Sequence, residues 1–480
     1  MLHFYQQSYT NRQICIYLVV NFVNNLESPP VLELRILQFS TAVWLSERKR
    51  VVNKITTRHI QTIYKLYTLL IEASTSPLPP ESNGSKRTGG PLTMKTNTTP
   101  IGYLPPLGWN SWNTFTWDIN ETLIKETTDI FVEQGYKDAG YEYIVIDDCW
   151  SLKERDANGN LVADPEKFPN GMKAVADYIH SKGLKFGMYS CAGTHTCAGY
   201  PGSFEHEFED ARQFAEWGVD YLKYDYCFKP RYMNGELLYK RMNLALRNCG
   251  RDILFSACNW GEDNVHHWIR ESGAHMYRST PDIQDNWDSI KNIAVSQIEK
   301  EPFTGSFCHN DMDMLVVGMH GGSNSEFIGN IGGCTDVQYK THFALWAMMG
   351  SPLMIGCDIR SASEETRKIL QNRDILAINQ DLESRGAYRI KVEPQWFNED
   401  EAFVLIKVLS DGDIAIGLFN LSDSKRELTV QFWDFGLPYA SGVGLSLYDC
   451  HEHKELGIYK ERYAATIPEH DCVVLRTKLV

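Results

Sequence analysis

Asp225 lies in the string LKYDYC at 222–227, where a short apolar run ends. Lys223 precedes it by two residues, so in a strand the two side chains share one face. An ammonium beside a carboxyl group favours the ionised form, and we therefore expect the pKa of Asp225 to be lowered. An ionised carboxylate held in this way can act as a nucleophile on a sugar. A salt bridge at the end of a strand is the alternative.

Asp282 is the second candidate for this chemistry and lies in RSTPDIQDNW at 278–287. Glycoside hydrolysis with retention needs two carboxyl groups roughly 5–5.5 Å apart, one ionised and one protonated. A neighbouring carboxylate would raise the pKa of Asp282 and keep it protonated. Asp after Pro is also a common helix N-cap, which is the structural alternative. Asp285 is a local rival that spacing alone does not exclude.

Asp147 and Asp148 follow the apolar run at 143–146, and Asp311 and Asp313 form a second acidic pair. Adjacent carboxylates can accept hydrogen bonds from two sugar hydroxyls. They can equally bind Mg²⁺ or Ca²⁺, so a metal site is the alternative.

A metal-dependent hydrolase would also need suitably spaced histidines. His206, His266 and His267 are available, but no HExxH or comparable ligand spacing links them. The adjacent pair His266-His267 is more typical of the flank of a helix.

The elements that position these residues alternate between short β-rich runs and amphipathic stretches. Predicted strands precede the polar residues at 143–146, 184–189, 221–224, 253–255 and 275–277. Apolar residues near i, i+3 and i+4 predict helices between them, as at 170–183 and 204–217. About eight such units fit between residues 104 and 390, which predicts a (β/α)₈ barrel. Polar residues at the carboxyl ends of barrel strands indicate an active site.

The chain divides into three segments that differ in sequence pattern. Residues 1–100 lack sustained periodicity and end in a Ser/Pro/Gly-rich linker, so we expect a disordered segment or an extension of the gene model, with Met94 as the start. A targeting or interaction arm is the alternative. Residues 101–392 form the predicted barrel. Residues 393–480 show alternating strands at 403–408, 414–419, 428–432 and 472–476, which predict an antiparallel β-sandwich.

Charge and composition exclude several classes of protein. The net charge is −14, with 11 Lys/Arg against 5 Asp/Glu in residues 1–100 and 36 against 56 in the remainder. An acidic body disfavours nucleic-acid binding. The sequence contains no apolar run of about 18 residues, so it does not predict a membrane span. The nearest approach to a signal peptide, 14–23, is interrupted by Asn21, so secreted and cytoplasmic locations both stay open. No cofactor motif appears, and a homo-oligomer also stays open.

Taken together, the motifs resemble those of the glycoside hydrolase family 27 α-galactosidases, or melibiases, in order and spacing. The resemblance runs from about Leu104 to Asp381 and more weakly through the C-terminal sandwich. The strings that carry it are LGWNSWNTF at 107–115, YEYIVIDDCW at 141–150, KFPNGMKAVADYIHSKGLKFGMYS at 167–190, TCAGYPGS at 196–203, DYLKYDYC at 220–227, RSTPDIQDNW at 278–287, NDMDML at 310–315 and ALWAMMGSPLMIGCD at 344–358.

This resemblance implies a retaining exo-glycosidase that hydrolyses terminal, non-reducing α-D-galactosyl groups of oligosaccharides, polysaccharide side chains or glycoconjugates. It needs no metal or cofactor. Asp225 matches the family nucleophile and Asp282 the acid/base, which sets Asp285 aside. Cys197 and Cys227 match a disulfide pair beside the site.

The resemblance also implies a set of sugar-binding residues. Trp112 is expected to stack on the sugar, Asp147 and Asp148 to bind the hydroxyls at C4 and C6, and Lys223 and Arg278 to bind hydroxyls near the reacting centre. The residues expected to complete the pocket are Tyr189, Cys197, Cys258, Trp260 and Asp313.

The chain departs from the family pattern at a few positions. Cys149 lacks the partner cysteine that many relatives place after LGWNSW, and Cys191 is an unmatched thiol. Asn259 stands between Cys258 and Trp260, where the related N-acetylgalactosaminidases use small residues, and so disfavours that substrate. The sequence is also compatible with a β-L-arabinopyranosidase and with a non-catalytic sugar-binding protein.

Overall fold

The computed structural model describes residues 100–322, 332–390, 400–439 and 441–480, together with three strands near the N-terminus. The chain divides into two compact units, residues 1–89 and residues 90–480. In the first unit, strands β1 (His3–Gln6), β2 (Cys15–Val23) and β3 (Val31–Leu37) pair in an antiparallel sheet of order β1-β2-β3. The other residues before 100 lie outside the described part, including the linker and Met94.

The second unit begins with eight parallel strands: β4 (Leu107–Asn110), β5 (Tyr143–Val145), β6 (Lys185–Cys191), β7 (Tyr221–Asp225), β8 (Leu254–Cys258), β9 (Met276–Arg278), β10 (His309–Asp311) and β11 (Leu353–Ile355). They are hydrogen-bonded in the order β10-β9-β8-β7-β6-β5-β4-β11. A bridge between Leu315, beyond β10, and Ile355 in β11 joins the two ends of this curled sheet. The predicted barrel is confirmed.

Helices follow the strands on the outside of the sheet, as the apolar periodicity predicts. After β8 the α-helix is replaced by a 3₁₀ helix at Glu262–His267. The helices of this unit are α1 (Trp112–Phe115), α2 (Glu121–Glu133), α3 (Gly171–Ser181), α4 (Glu207–Trp217), α5 (Gly235–Arg247), α6 (Trp287–Gln297), α7 (Asp336–Met348), α8 (Glu364–Leu370) and α9 (Arg373–Asn379). Among the described residues, no helix combines the length and the apolar character needed to cross a membrane.

Two separate apolar layers hold the barrel strands in place. Residues that alternate along β5 face opposite sides: Ile144 packs with the outer helices, whereas Tyr143 and Val145 belong to a small inner cluster with Tyr221. Gly187 on β6 makes room for that cluster, because a Cβ atom there would lie 2.6 Å from Val145 Cγ2. The filled interior leaves the carboxyl end of the barrel as the place for a pocket.

The register of the central strands determines which polar residues meet at that end. Cys191 at the end of β6 pairs with Asp225 at the end of β7. Cys258 of β8 pairs with Arg278 of β9, which pairs in turn with Asp311 of β10. Chain positions that are far apart in the sequence are therefore adjacent along one edge of the sheet.

The C-terminal part of this unit is an antiparallel β-structure, as predicted. Its strands are β12 (Tyr388–Ile390), β13 (Ala402–Val408), β14 (Ile414–Asn420), β15 (Arg426–Gln431), β16 (Leu445–Asp449), β17 (Lys454–Tyr459), β18 (Arg462–Ile467) and β19 (Cys472–Leu479). A six-stranded sheet of order β12-β13-β14-β19-β16-β17 and the pair β15-β18 enclose one apolar core. Because β12 pairs with β13, this sheet takes its first strand from before the expected boundary at residue 393.

Polar contacts join this β-structure to the barrel helices. The buried ammonium of Lys407 on β13 donates a hydrogen bond to the carbonyl oxygen of Ile378 in α9, at 2.6 Å. Burial lowers the pKa of Lys407 to about 8. The indole of Trp287 at the start of α6 donates to the carbonyl oxygen of Leu421 at 3.3 Å. Because burial of the charge is itself unfavourable, the hydrogen bond to Ile378 compensates part of that cost. Together with the bond from Trp287, it connects the β-structure to the helices of the barrel.

We predict that a chain beginning at Met94 folds and keeps the thermal stability of the full chain. The second unit has its own barrel and sandwich cores, and the division between the units falls at residue 89. Calorimetry should give unfolding midpoints for the two chains within about 2 °C of each other. A midpoint lowered by about 5 °C or more would contradict the expectation that residues 1–93 are dispensable.

Candidate active site

Asp225 is the last residue of β7, and its side chain is buried with 5% of its surface exposed. The hydroxyl of Tyr189 donates a hydrogen bond to Asp225 Oδ2 at 3.0 Å, and the backbone N–H of Tyr226 donates to Oδ1 at 2.9 Å. Burial raises the pKa of Asp225 to about 6, and the nearby charge of Asp282 contributes to the rise. The two carboxyl groups thus interact electrostatically.

Lys223 contacts a different carboxylate from the one expected. Its ammonium donates to Asp147 Oδ2 at 2.8 Å and lies 5.2 Å from the ring centre of Tyr189. Although Lys223 does lower the pKa of Asp225, burial outweighs it. The expectation of a lowered pKa at Asp225 was therefore wrong, because the strand-face argument took no account of desolvation.

Asp147 and Asp148 are both buried just beyond β5 and are held by hydrogen bonds. Asp148 accepts the backbone N–H of Cys149 at 2.7 Å and that of Ala198 at 3.1 Å. Burial raises the pKa of Asp148 despite these bonds. Ala198 follows Cys197, whose disulfide to Cys227 is present as the resemblance implied. The disulfide connects the loops beyond β6 and β7 beside the carboxylates.

Arg278 connects the strand ends on the other side of the site. Its buried guanidinium donates a hydrogen bond from Nη2 to Asp282 Oδ1 at 2.8 Å and forms an ion pair with Asp313, with Nη1 2.9 Å from Oδ1. Asp313 also accepts the backbone N–H of Ile283 at 2.7 Å. Asp313 therefore holds the loop that carries Asp282 in two ways. It binds the backbone of Ile283, the residue after Asp282, and it contacts Arg278, which itself binds Asp282.

The side chain of Asp282, in the loop beyond β9, is exposed over 71% of its surface on the side where it meets Arg278 and solvent. Desolvation there would raise its pKa, but the charge and hydrogen bond of Arg278 outweigh that effect and hold the pKa below its usual value. We expected a raised pKa at Asp282, and that expectation was wrong for the free protein. The direct cation partner has more influence than the carboxylate nearby.

Asp282 and Asp285 differ in their contacts. Helix α6 is capped by Asn286, whose side chain accepts the N–H of Ser289, so Asp282 is not the N-cap. Asp285 accepts the hydroxyl of Tyr339 at 2.7 Å and the N–H of Gly321 at 2.6 Å. Both of its oxygens thus accept hydrogen bonds from the protein, one from helix α7 and one from a loop, which is typical of a structural carboxylate.

The remaining predicted residues take varied positions. Trp112 is partly buried at the start of α1. Cys258 ends β8, where Arg278 Nη1 lies 3.9 Å from its sulfur. Trp260 has a positive φ of 57° and packs against Tyr226 at 6.4 Å between ring centres. The strand register thus brings Cys258 to the same edge as Asp225.

The three residues singled out as departures are all buried. The side-chain amide of Asn259 donates a hydrogen bond to the carbonyl oxygen of Glu262 at 2.9 Å, within the same turn. That its size disfavours an N-acetylgalactosaminide stays a prediction. The thiol of Cys191 donates to Cys227 O at 3.1 Å. Cys149 is a free thiol.

The contacts of the carboxylates weigh against the metal interpretation. Within the described residues, the one set of metal-type side chains close enough to share an ion is Cys197, Asp225 and Cys227. Both sulfurs belong to the disulfide, which leaves one carboxylate. Asp147 and Asp313 already have Lys223 and Arg278 as cation partners.

Two residues at the same edge were missed by the sequence analysis or left without a role. Asn110 ends β4; its Nδ2 donates to Asp147 at 2.7 Å, and its Oδ1 accepts the N–H of Trp112 at 2.8 Å. Asp311 ends β10 and accepts the N–H of Asp313 at 3.0 Å. Burial raises the pKa of Asp311 to about 7. Both are the last residues of barrel strands, the rule that also located Asp225.

Comparison with known families places these residues in context. Residues 104–381 match the family model described as alpha galactosidase A, and residues 399–477 match the alpha galactosidase C-terminal beta sandwich domain. The first match covers the barrel from just before β4 to just after α9. Residues 1–100 lie outside both matches.

Individual relatives agree with the family models. The chain is 40% identical over 373 residues to the alpha-galactosidase of Cyamopsis tetragonoloba, covering 78% of this chain and 85% of the relative. It is 42% identical over 369 residues to alpha-galactosidase 3 of Arabidopsis thaliana, with 77% and 80% covered. The structure of an α-galactosidase from Saccharomyces cerevisiae with raffinose superposes with a TM-score of 0.70 at 30% identity, covering 79% of this chain and 98% of that one.

We predict that the Asp225 carboxyl group titrates near pH 6 in the free protein. Burial favours its neutral form, so it takes up a proton as the pH falls through about 6, well above an exposed aspartate. Carbon-13 NMR of carboxyl-labelled aspartate should show this transition, and Asp225→Asn should remove it. Titration of the same signal in the range of an exposed aspartate, about 4 or below, would mean that Lys223 dominates burial.

Proposed function

The chain belongs to the melibiase family of α-galactosidases, and we propose that it works by double displacement, with Asp225 as nucleophile and Asp282 as general acid and base. It is a glycoside hydrolase that hydrolyses terminal α-galactosyl residues. The observation that supports these roles is the buried carboxylate at the end of β7, coupled electrostatically to an exposed carboxyl group in the loop beyond β9. One group is held in place, and the other can reach a departing oxygen.

In the first step an oxygen of Asp225 forms a bond to the anomeric carbon while the bond to the leaving oxygen breaks. Asp282 gives its proton to that oxygen, so the leaving sugar departs as a neutral alcohol. Tyr189 and the backbone N–H of Tyr226 each donate to Asp225, which restricts the carboxylate to one orientation. Because the attacking atom is already oriented, the entropic part of the activation barrier is lower.

In the second step Asp282, now ionised, takes a proton from water as the water oxygen attacks the anomeric carbon. The bond to Asp225 breaks, and the sugar leaves with its original α configuration because two inversions have occurred. Asp282 suits this exchange because its side chain is exposed to solvent. Asp225, by contrast, is closed off from bulk water.

In the free protein the pKa values of the two carboxyl groups are ordered against the first step, which needs Asp225 ionised and Asp282 protonated, and substrate binding can reverse this order. The pKa of Asp225 is raised to about 6, whereas Arg278 lowers that of Asp282. A sugar hydroxyl that accepts a hydrogen bond from Arg278 would compete with Asp282 for this cation. Loss of that partner would raise the pKa of Asp282 and allow it to hold the proton. Arg278 would thereby act both as a binding residue and as a control on the acid.

The same edge of the barrel offers groups for the sugar itself. Asp147 and Asp148 are buried, fixed acceptors that we assign to the hydroxyls at C4 and C6, and Lys223 donates beside them. Trp112, linked to Asp147 through Asn110, supplies an aromatic face for the ring. The other side chains that we assign to the pocket are Tyr189, Cys197, Cys258, Trp260, Arg278 and Asp313.

For the natural donor we propose an oligosaccharide with a terminal α-galactosyl group, of which raffinose is the first to assay. The support is the yeast relative whose structure was determined with raffinose. A β-L-arabinopyranosidase is 23% identical to the chain, and similarity at this level shows a shared fold but not a shared substrate. Rates on nitrophenyl α-galactoside, arabinopyranoside and N-acetylgalactosaminide separate the three activities. A non-catalytic protein would turn over none of these substrates.

We predict that Asp282→Ala leaves a nucleophile without its acid and base. An aryl leaving group that departs without protonation should still form the glycosyl-enzyme, which accumulates because no base activates water. Azide needs no base and should restore turnover as an α-galactosyl azide. The loss should be about 10²–10⁴-fold for poor leaving groups and smaller for good ones. Asp225→Ala should abolish turnover of every substrate.

Asp285→Ala is the matched control, three residues away on the same loop. It removes an acceptor of Tyr339 and Gly321, so it should lower thermal stability and leave the dependence on leaving group unchanged. Azide rescue of Asp285→Ala, together with none for Asp282→Ala, would reassign the acid/base.

A further inference from the structure

Two large aromatic side chains are exposed side by side on the C-terminal β-structure. Trp433 and Tyr439 have 55% and 54% of their surfaces exposed, and their ring centres lie 5.6 Å apart at an interplanar angle of 32°. Trp433 belongs to a short 3₁₀ helix, Phe432–Phe435. Phe432 in the same turn is buried in the sandwich core. The turn therefore anchors one ring inside and presents the next one to solvent.

The sheet beside this pair presents a polar face. In β15 the apolar residues Leu428 and Val430 are buried, whereas Glu427, Thr429 and Gln431 alternate with them toward solvent. Of these three, Glu427 is exposed and the other two are half-buried. Their cross-strand partners on β18 are all exposed: Thr466, Ala464 and Arg462. This face belongs to the two-stranded sheet, on the side away from the core.

The aromatic pair is continuous with that polar face. Tyr439 places its hydroxyl 3.5 Å from Gln431 Oε1, and Gln431 pairs with Arg462 across the strands. Rings, amide, guanidinium and hydroxyl thus occupy one surface. Arg462 and Glu427 carry opposite charges, so the surface as such favours neither a polyanion nor a polycation. The net charge of −14 further disfavours a polyanion.

We propose that Trp433, Tyr439 and the outward face of β15–β18 form a second carbohydrate-binding site, which holds the backbone of a neutral polysaccharide. A pyranose ring has an apolar face that stacks on an aromatic ring and hydroxyl edges that bond to amide, hydroxyl and guanidinium groups. None of these residues belongs to the catalytic site at the carboxyl end of the barrel. Binding of a branched chain here raises the effective concentration of its galactosyl ends at that site.

Affinity electrophoresis in gels that contain galactomannan or unsubstituted mannan tests this proposal. Unsubstituted mannan offers the catalytic site no α-galactosyl group, so retardation in it measures the second site alone. The full chain should be retarded in both gels, and Trp433→Ala/Tyr439→Ala should migrate freely in mannan. On galactomannan the double variant should lose about tenfold in kcat/KM. On nitrophenyl α-galactoside its kcat/KM should stay within about twofold of the parent, because nothing in the barrel changes.

Tyr232→Ala provides the matched control, since Tyr232 is an aromatic residue 82% exposed on the barrel. It should keep the retardation of the parent chain. Three results would overturn the proposal. The first is no retardation of the parent in either gel, and the second is equal retardation of the parent and the double variant in mannan. The third is loss of self-association of the double variant in sedimentation, which would make the patch a contact between copies. Because both rings are exposed, unchanged thermal unfolding should accompany the loss of binding. These readouts in mannan do not depend on the roles of Asp225 and Asp282.

Discussion

The site is built around five buried carboxylates that converge on one end of a parallel barrel, where only two cationic side chains contact them in the described part of the chain. Lys223 pairs with Asp147 and Arg278 with Asp313. The five are Asp147, Asp148, Asp225, Asp311 and Asp313. Burying so many like charges without matching partners is costly, and the barrel core must supply the stability that offsets it. The excess of acceptors also explains why the site suits a ligand rich in hydroxyl donors.

This imbalance has a direct effect on protonation. Burial raises the pKa of Asp225 to about 6 and that of Asp311 to about 7, so the free protein takes up protons easily here as the pH falls. Arg278 makes Asp282 the exception. A sugar that donates to the acceptors and accepts from Arg278 would redistribute these charges. Binding of the substrate would thus also raise the pKa of Asp282 and enable it to act as the acid.

The sequence predicted the framework well because apolar periodicity and the position of polar residues at strand ends are local signals. Asp225 could be located in this way, and the same rule would have found Asn110 and would have placed Asp311 beside it at the active-site edge. The directions of the pKa shifts at Asp225 and Asp282 could not be predicted, because they depend on burial and on which cation pairs with which carboxylate. Lys223 shares a strand face with Asp225, yet its ammonium contacts Asp147, which lies just beyond strand β5. Trp433 and Tyr439 gave no local signal, since exposure is a property of the folded sandwich.

The stereochemistry of the first-formed product tests the central claim most directly. If Asp225 forms a covalent bond to the sugar, two inversions must occur and α-galactose must appear first. Proton NMR during the earliest turnover of nitrophenyl α-galactoside distinguishes the anomers before mutarotation mixes them. We expect the α-anomer signal to rise first, with the β-anomer following only as the solution equilibrates. Initial release of β-galactose would mean a single displacement by water and would contradict the role assigned to Asp225.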